Sequence, residues 1–280
     1  MSTLQPNEIK ALALDLDGTL LGPGGVLNER TVKAVHTAIR RGLKIIIATG
    51  RAIDATERFR LSLGAEGPMI YFNGAMVVDM GGGKVISSTL LETGAVEFCI
   101  DLSREMGIYY QVYLPAEGGR IPLIAENEGP FNERDMYYGH TGILAEIGCL
   151  KEALRRPGVN GCIKSMFLAE PEVQAVLRPR LEERFGGSVY IVQTYRNFLE
   201  IMDAKVSKGQ GLKAAMKHLS LKKEEVIAFG DEENDLPMFD AAGFSAAPAN
   251  AREKVKERAG IIIGSNAEDG VAVFLEENFA

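Results

Sequence analysis

The chain predicts an α/β fold, a parallel sheet covered by helices and interrupted by a second, α+β unit. Three observations carry this. Short apolar runs that end in acid, threonine or glycine alternate with helix-period segments from Ile9 to Phe72, and again from Lys208 to Glu277. Between those stretches the rhythm breaks, and most of the Pro and many of the Gly fall there. The 280 residues, at about 150 per domain, allow about two compact units.

Ile9–Leu14 is a short apolar run that stops at Asp15-Leu16-Asp17-Gly18-Thr19, as a buried parallel strand feeding a loop would. From Asn28 to Gly42, the positions Val32, Val35, Ala38 and Ile39 recur at helical spacing. Asn28 or Thr31 suits the start of that helix and Gly42 its end. Leu43–Ala48 is a second buried strand, ending at Thr49-Gly50-Arg51. A helix follows over Ile53–Leu63, and a third strand, Met69–Phe72, ends at Asn73-Gly74. Val77–Asp79 and Lys84–Thr89 form a hairpin around Gly81-Gly82-Gly83, read as a turn at the hinge between the units. The middle of the chain mixes helices over 93–106 and 171–185 with strands over Tyr109–Leu114, Ile163–Leu168, Tyr190–Gln193 and Phe198–Met202. The α/β rhythm returns with a helix over Lys208–Leu219, a strand over Val226–Phe229 ending at Gly230-Asp231, and a short helix over Leu236–Ala242. Strands over Phe244–Ala247 and Gly260–Ile263 and a helix over Gly270–Glu277 complete it. The predicted domains are a discontinuous core of residues 1–80 and 204–280, and an insert of residues 81–203.

Composition excludes several classes. A 46% hydrophobic and 25% charged chain is neither disordered nor collagen-like. With 31 Lys+Arg against 38 Asp+Glu, net −7, it lacks the cationic excess of a non-specific nucleic-acid binder. Cys99, Cys149 and Cys162 form no CxxC pair and read as reduced thiols. Met1–Lys10 is polar, unlike a signal peptide, and no apolar run reaches the ~18 residues of a membrane span. The expectation is a cytoplasmic protein without nucleic-acid or membrane partners, a monomer or small homo-oligomer.

Polar groups end four of the predicted strands: Asp15 and Asp17, Thr49 and Arg51, Asn73, and Asp231 with Asn234 and Asp235. Ligands of an open parallel sheet bind outside the carboxyl ends of its strands, so parallel strands would bring these groups to one spot. Asp15 and Asp17, two residues apart, lean to one side of a strand end. With Asp231 and Asp235 they make four acids that repel unless a cation sits among them. Hard oxygen donors with no His or Cys cluster suit Mg²⁺, and Mg²⁺ commonly accompanies a phosphate substrate. Lys208 supplies positive charge for that phosphate, and Thr49, Gly50 and Asn234 supply donors. One Asp is suited to attack phosphorus and the other to move the proton.

The motifs resemble those of the haloacid dehalogenase (HAD) superfamily, in its Cof-type branch (subfamily IIB). Asp15-Leu16-Asp17-Gly18-Thr19-Leu20 resembles motif I, Ala48-Thr49-Gly50-Arg51 motif II, Val206-Ser207-Lys208-Gly209 motif III, and the segment Gly230–Met238 motif IV. Asn73-Gly74-Ala75 and Ser265–Ala272 are also similar to Cof-type sequences. The resemblance covers residues 9–80 and 204–280. It implies a Rossmann-like core with an inserted C2-type cap that closes over the site and sets substrate choice. It implies Asp15 as nucleophile and Mg²⁺ ligand, and Asp17 as general acid/base offering its backbone carbonyl to the metal. It further implies Asp231 as a direct ligand and Asp235 as a support behind it. Thr49 and Lys208 would hold the phosphoryl group, with Gly50 and Asn234 adding contacts. Asn73 and Arg51 are further candidates around the site, and Arg51 is read as facing either substrate or a core carboxylate. An acid at position 17 argues against the dehalogenase branch. Pro248-Ala249-Asn250-Ala251 stands where Cof-type sequences often read Met-Gly-Asn-Ala, and resembles branches acting on phosphoglycolate or on sucrose and trehalose phosphates.

Blander readings apply elsewhere. His36, His140 and His218 lack ligand spacing and read as surface or capping residues. Glu232 and Glu233 read as solvated loop charges, and Tyr109-Tyr110 and Tyr137-Tyr138 as strand packing. The implied activity is a Mg²⁺-dependent phosphatase for the phosphomonoester of a small metabolite, a sugar phosphate by default, working through an aspartyl-phosphate. The alternatives are a phosphomutase of phosphomannomutase type and a non-catalytic protein that binds a phosphorylated metabolite.

Overall fold

The structure is a computed structural model that describes residues 5–116 and 120–279; the part of the N-terminal reading that falls on Met1–Leu4 lies outside them. Chain contacts divide the molecule into one unit of Met1–Ser87 with Ser207–Ala280, and a second of Ser88–Val206.

The first unit begins with β1 (Ala11–Leu14), α1 (Glu29–Arg40), β2 (Lys44–Ile47), α2 (Ile53–Leu63), β3 (Pro68–Tyr71), β4 (Met76–Asp79) and β5 (Lys84–Ser88). The second holds β6 (Leu91–Glu92), α3 (Thr93–Met106), β7 (Tyr109–Tyr113), β8 (Leu123–Ala125), α4 (Glu133–Thr141), β9 (Glu146–Ile147) and α5 (Leu150–Leu154). It continues through β10 (Gly161–Cys162), β11 (Lys164–Leu168), α6 (Pro171–Phe185), β12 (Val189–Tyr195) and β13 (Phe198–Asp203). The first unit resumes with α7 (Lys208–His218), β14 (Val226–Phe229), α8 (Leu236–Ala241), β15 (Phe244–Pro248), α9 (Glu253–Lys256), β16 (Ile261–Ile263) and α10 (Gly270–Phe279).

A five-stranded sheet of order β16-β15-β14-β1-β2 organises the first unit, and every neighbouring pair is parallel. β1 is buried along its whole length, as a central strand covered on both faces must be. Its two faces differ in bulk. Ala11 and Ala13, with Ala228 beside them, join Leu212, Ala215 and Met238 of α7 and α8 in one core cluster. Small residues there let the helices come close. On α10, Phe274 meets Phe229 edge-on at 5.5 Å, and α1 packs against α10. The register sets the site: Leu14 lies opposite both Phe229 and Ile47, so β1, β14 and β2 end at one level.

One expectation needs correcting. The segment read as a third strand of the parallel sheet does run parallel to β2, through a bridge between Ala48 and Ile70 and a hydrogen bond from Thr49 N to Ile70 O (2.9 Å), but it forms no full ladder with that sheet. Its full ladder is antiparallel, with β4. β4 pairs in turn with β5, and Gly81–Gly83 is the turn between them, ahead of the unit boundary.

The second unit is a six-stranded sheet of order β12-β13-β11-β7-β8-β9, antiparallel except between β8 and β9. Val112, Phe167, Leu199 and Ile201 share one core with Leu154, Leu177 and Leu181 from α5 and α6. The opposite register carries Lys164 and Glu200, a buried ion pair at 2.7 Å. Tyr109 and Tyr110 pack in β7 as expected, whereas Tyr137 and Tyr138 lie on a helix, α4. Cys99, Cys149 and Cys162 are free thiols. No helix among the described residues is long and apolar enough to cross a membrane.

Candidate active site

The level strand ends bring Asp15, Asp231 and Asp235 together, each with a carboxylate oxygen within 4.8 Å of the others. Asp15 directly follows β1, and Asp231 lies two residues beyond β14. Asp235 reaches back along its own loop: its Oδ2 accepts from the backbone N–H of Asp231 (3.0 Å) and of Glu232 (3.1 Å). Lys208, the first residue of α7, points its ammonium into this group. Its Nζ donates to Asp15 Oδ1 at 2.6 Å and to Asp235 Oδ1 at 2.7 Å. The α7 start is held by Ser207, whose Oγ accepts from Gln210 N (3.2 Å), an N-cap bond.

Burial pushes the Asp15 carboxyl well above its ordinary range; Lys208 pulls it down, and Asp235 and Asp231 push it further up. Burial likewise moves Asp231 up to about 6, against a hydrogen bond from Thr19 and with the charge of Asp235. Burial works against the Lys208 ammonium, but Asp15 and Asp235 outweigh it and hold its proton more tightly than usual. Three carboxylates face one ammonium, and the excess negative charge adds to the effect of burial in raising the two acids.

Those acids fit a divalent cation, by their own chemistry. Both Asp235 oxygens are occupied, so it stands behind the other two. Asp15 Oδ1 is taken by Lys208, and Asp231 Oδ1 accepts from Thr19 Oγ1 at 2.8 Å. Asp15 Oδ2 and Asp231 Oδ2 receive no hydrogen bond from the described residues. Hard oxygens with unbalanced charge, on two buried residues, suit Mg²⁺.

Asp17 stands outside this cluster. Its side chain is half-exposed, and Arg51 grips it in a two-pronged pair, Nε to Oδ2 at 2.7 Å and Nη2 to Oδ1. The expected grouping of four acids is therefore three, with the fourth neutralised by an arginine from the β2 loop. Arg51, read as facing either substrate or a carboxylate, takes the carboxylate. Thr49 is fully buried; its Oγ1 accepts from Arg51 N (3.1 Å), which leaves its own hydrogen to donate. Gly50 follows it, beneath the side chain of Asn73. Asn234, expected to contact phosphate, donates through Nδ2 to Asn73 Oδ1 at 3.0 Å.

Two residues that hold the site in place stand in the motifs read from sequence but carried no assigned role there. Thr19 fixes Asp231 by the bond above, and its place in the motif I run is the signal. Asn250 donates to Gly18 O (2.8 Å) and accepts from Asn266 N (2.8 Å), tying the loop after Asp17 to two distant segments. Its signal is the Asn retained in the altered Pro248–Ala251 run. The bland readings fit their surroundings. Glu232 and Glu233 pair at the surface with Arg252 and Lys254. His36 bonds Ser62 O (3.0 Å), and His140 stacks near Tyr195 (4.7 Å).

Comparison with known proteins follows the same lines. A solved structure from Thermotoga maritima, TM0651, superposes with a TM-score of 0.85 at 28% identity, covering 96% of this chain and 97% of that one. The Bacillus subtilis protein YwtE, named a 5-amino-6-(5-phospho-D-ribitylamino)uracil phosphatase, is 28% identical over 96% of this chain and 98% of its own length. An Arabidopsis thaliana protein named chloroplastic endoribonuclease YBEY is 31% identical over 92% of this chain, which spans only 44% of that relative. The profile of the haloacid dehalogenase-like hydrolases matches residues 12–275, and the chain belongs to that family.

Proposed function

We propose that this chain is a Mg²⁺-dependent phosphatase that hydrolyses the phosphomonoester of a small metabolite, a sugar or polyol phosphate, through a phosphorylated Asp15. The observation that carries the reading is the Lys208 ammonium set between Asp15 and Asp235 with Asp231 alongside, which leaves Asp15 Oδ2 without a partner. One oxygen of the Asp15 carboxylate bonds to phosphorus while the phosphorus–oxygen bond to the leaving group breaks, and Asp17 delivers a proton to the departing oxygen. Asp17 then takes a proton from water as its oxygen attacks phosphorus, which frees phosphate and restores the Asp15 carboxylate. Asp17 reaches this task by exchanging Arg51 for the substrate, and a half-exposed ion pair is worth only about 1 kcal/mol or less. Lys208, Thr49 and Gly50 hold the phosphoryl oxygens. Asp15 and Asp231, with the Asp17 backbone carbonyl, would hold Mg²⁺, which when bound neutralises charge on those oxygens.

A sugar or polyol phosphate is supported by the ribityl phosphate in the name of the Bacillus relative. In this proposal the inserted unit, residues 88–206, selects the substrate. Phosphate release across a panel of phosphorylated metabolites, with Mg²⁺ and with EDTA, tests the reading. Release that depends on Mg²⁺ and favours one compound supports it. Transfer of phosphate to a sugar in place of water supports a mutase, and binding without release supports a sensor.

A further inference from the structure

Two segments singled out in the sequence, Pro248–Ala251 and Ser265–Ala272, have no step in the reaction proposed above. Both reach the turn that bears Asp17. In that turn Leu16 O accepts from the backbone N–H of Thr19 (3.4 Å), Leu20 (3.0 Å) and Leu21 (2.8 Å), which leaves the carbonyls of Gly18 and Leu21 for partners outside the turn. Asn250 Nδ2 donates to Gly18 O (2.8 Å), and Asn266 Nδ2 donates to Leu21 O (2.8 Å). The two asparagines are also joined to one another, because Asn250 Oδ1 accepts from Asn266 N (2.8 Å).

The anchor behind these bonds is braced. Glu268 Oε2 accepts from Ser265 N (3.1 Å) and Ser265 Oγ (2.6 Å), and Glu268 N donates back to Ser265 O (3.0 Å). Asp269, in the left-handed region at φ 55°, accepts through Oδ1 from Asn28 Nδ2 (2.7 Å) and Thr31 Oγ1 (3.4 Å) at the start of α1. One loop thus fixes both ends of the segment from Gly18 to Thr31. The bonds made by Asn250 lie at the surface, where water satisfies a carbonyl nearly as well and the net gain in stability is small. What a side-chain amide adds there is direction. Direction matters at this turn, because Arg51 holds the Asp17 carboxylate and must release it to substrate. The backbone of the turn then decides where that carboxyl points.

We propose that Asn250 and Asn266 are positioning residues that act as one clamp, holding the turn from Gly18 to Leu21 so that Asp17 meets the departing oxygen of the substrate. The inference rests on the phosphatase reading, with Asp17 as the proton donor.

The test compares Asn250→Ala, Asn266→Ala and the double variant on two substrates of similar shape, p-nitrophenyl phosphate and phenyl phosphate, with Mg²⁺ present. Asn266→Ala removes the bond to Leu21 O but keeps the backbone N–H that Asn250 accepts from, so it carries the test if Asn250→Ala fails to fold. Phenolate is the poorer leaving group and needs the proton of Asp17 more. The expected result is a Tm within a few degrees of wild type, with kcat/KM down about threefold to tenfold for p-nitrophenyl phosphate and about tenfold to a hundredfold for phenyl phosphate. The double variant loses little more than the worse single variant, since either change opens the same clamp. Hydrogen exchange without metal reads the loosened turn directly, as faster exchange at Thr19, Leu20 and Leu21. Unchanged exchange, additive losses, losses equal for the two substrates, or variants as active as wild type overturn this proposal alone. A wild type that releases phosphate from neither substrate overturns the phosphatase reading and this proposal with it.

Discussion

Lys208 Nζ lies 2.6 Å from Asp15 Oδ1 across 193 residues of chain, and both side chains are almost wholly buried. Removing one partner of a buried pair leaves an uncompensated charge, at a cost of about 3–5 kcal/mol. Here the loss also strands Asp235, which shares the same ammonium. Lys208→Met is expected to lower Tm by roughly 10 °C in scanning calorimetry and to remove phosphatase activity. An unchanged Tm would contradict the pairing.

The pair of Arg51 and Asp17 behaves differently because it is half-exposed. Asp17→Asn is expected to leave Tm within a few degrees of wild type, in keeping with a pair worth about 1 kcal/mol or less. Its kcat for p-nitrophenyl phosphate falls about a hundredfold to ten-thousandfold, the usual worth of a positioned acid/base. Near-normal turnover in this variant would remove Asp17 from the mechanism.

Gly18 shapes the metal side of the site. Its φ is +79°, and a Cβ there would lie 2.1 Å from Asp231 Oδ2. Gly18→Ala must therefore push Asp231 aside as well as strain the loop. Mg²⁺ affinity, read by titration calorimetry, is expected to fall about tenfold to a hundredfold.

The pH dependence of metal stabilisation follows from Asp231, which titrates at about 6 in the folded chain against an ordinary value of 3.8. The folded state then binds more protons than the unfolded state between those values. Its stability contribution is complete below the lower one and is lost as pH rises through the higher one. Mg²⁺ replaces the lost proton. The rise in Tm on adding Mg²⁺ should be larger at about pH 7.5 than at about pH 5, and EDTA should reverse it. An equal rise at both values would contradict this.

Much of the core was legible because its signals are local. Val226–Phe229 is an apolar run of strand length, and Asp15-Leu16-Asp17-Gly18-Thr19 closes another, so neither needs a distant partner to be read. The length of α2 follows from Ile53 to Leu63 by the same logic, with Gly64 ending it in the left-handed region. What escaped depends on long-range pairing. Whether Asp17 faces Asp15 or Arg51 is decided by a guanidinium 34 residues away. The Asn73 and Asn234 contact spans 161 residues. The antiparallel ladder of β3 with β4 was missed because the length and apolar character of a run such as Met69–Phe72 mark a strand without naming its neighbours. In the second unit α4 was missed because Gly139, His140 and two tyrosines form a weak helical pattern, and tertiary packing of Tyr137 on Phe198 (5.4 Å) supplies what propensity lacks.

The central claim is that Asp15 carries the phosphoryl group during turnover. Rapid acid quench of the Mg²⁺-loaded protein with radiolabelled p-nitrophenyl phosphate tests it most directly. The expected result is acid-stable label on the wild-type chain, mapped by peptide analysis to Asp15, and none on Asp15→Asn, which keeps its fold and loses turnover. Label-free wild-type protein that still releases phosphate, or an Asp15→Asn variant with substantial turnover, would contradict it.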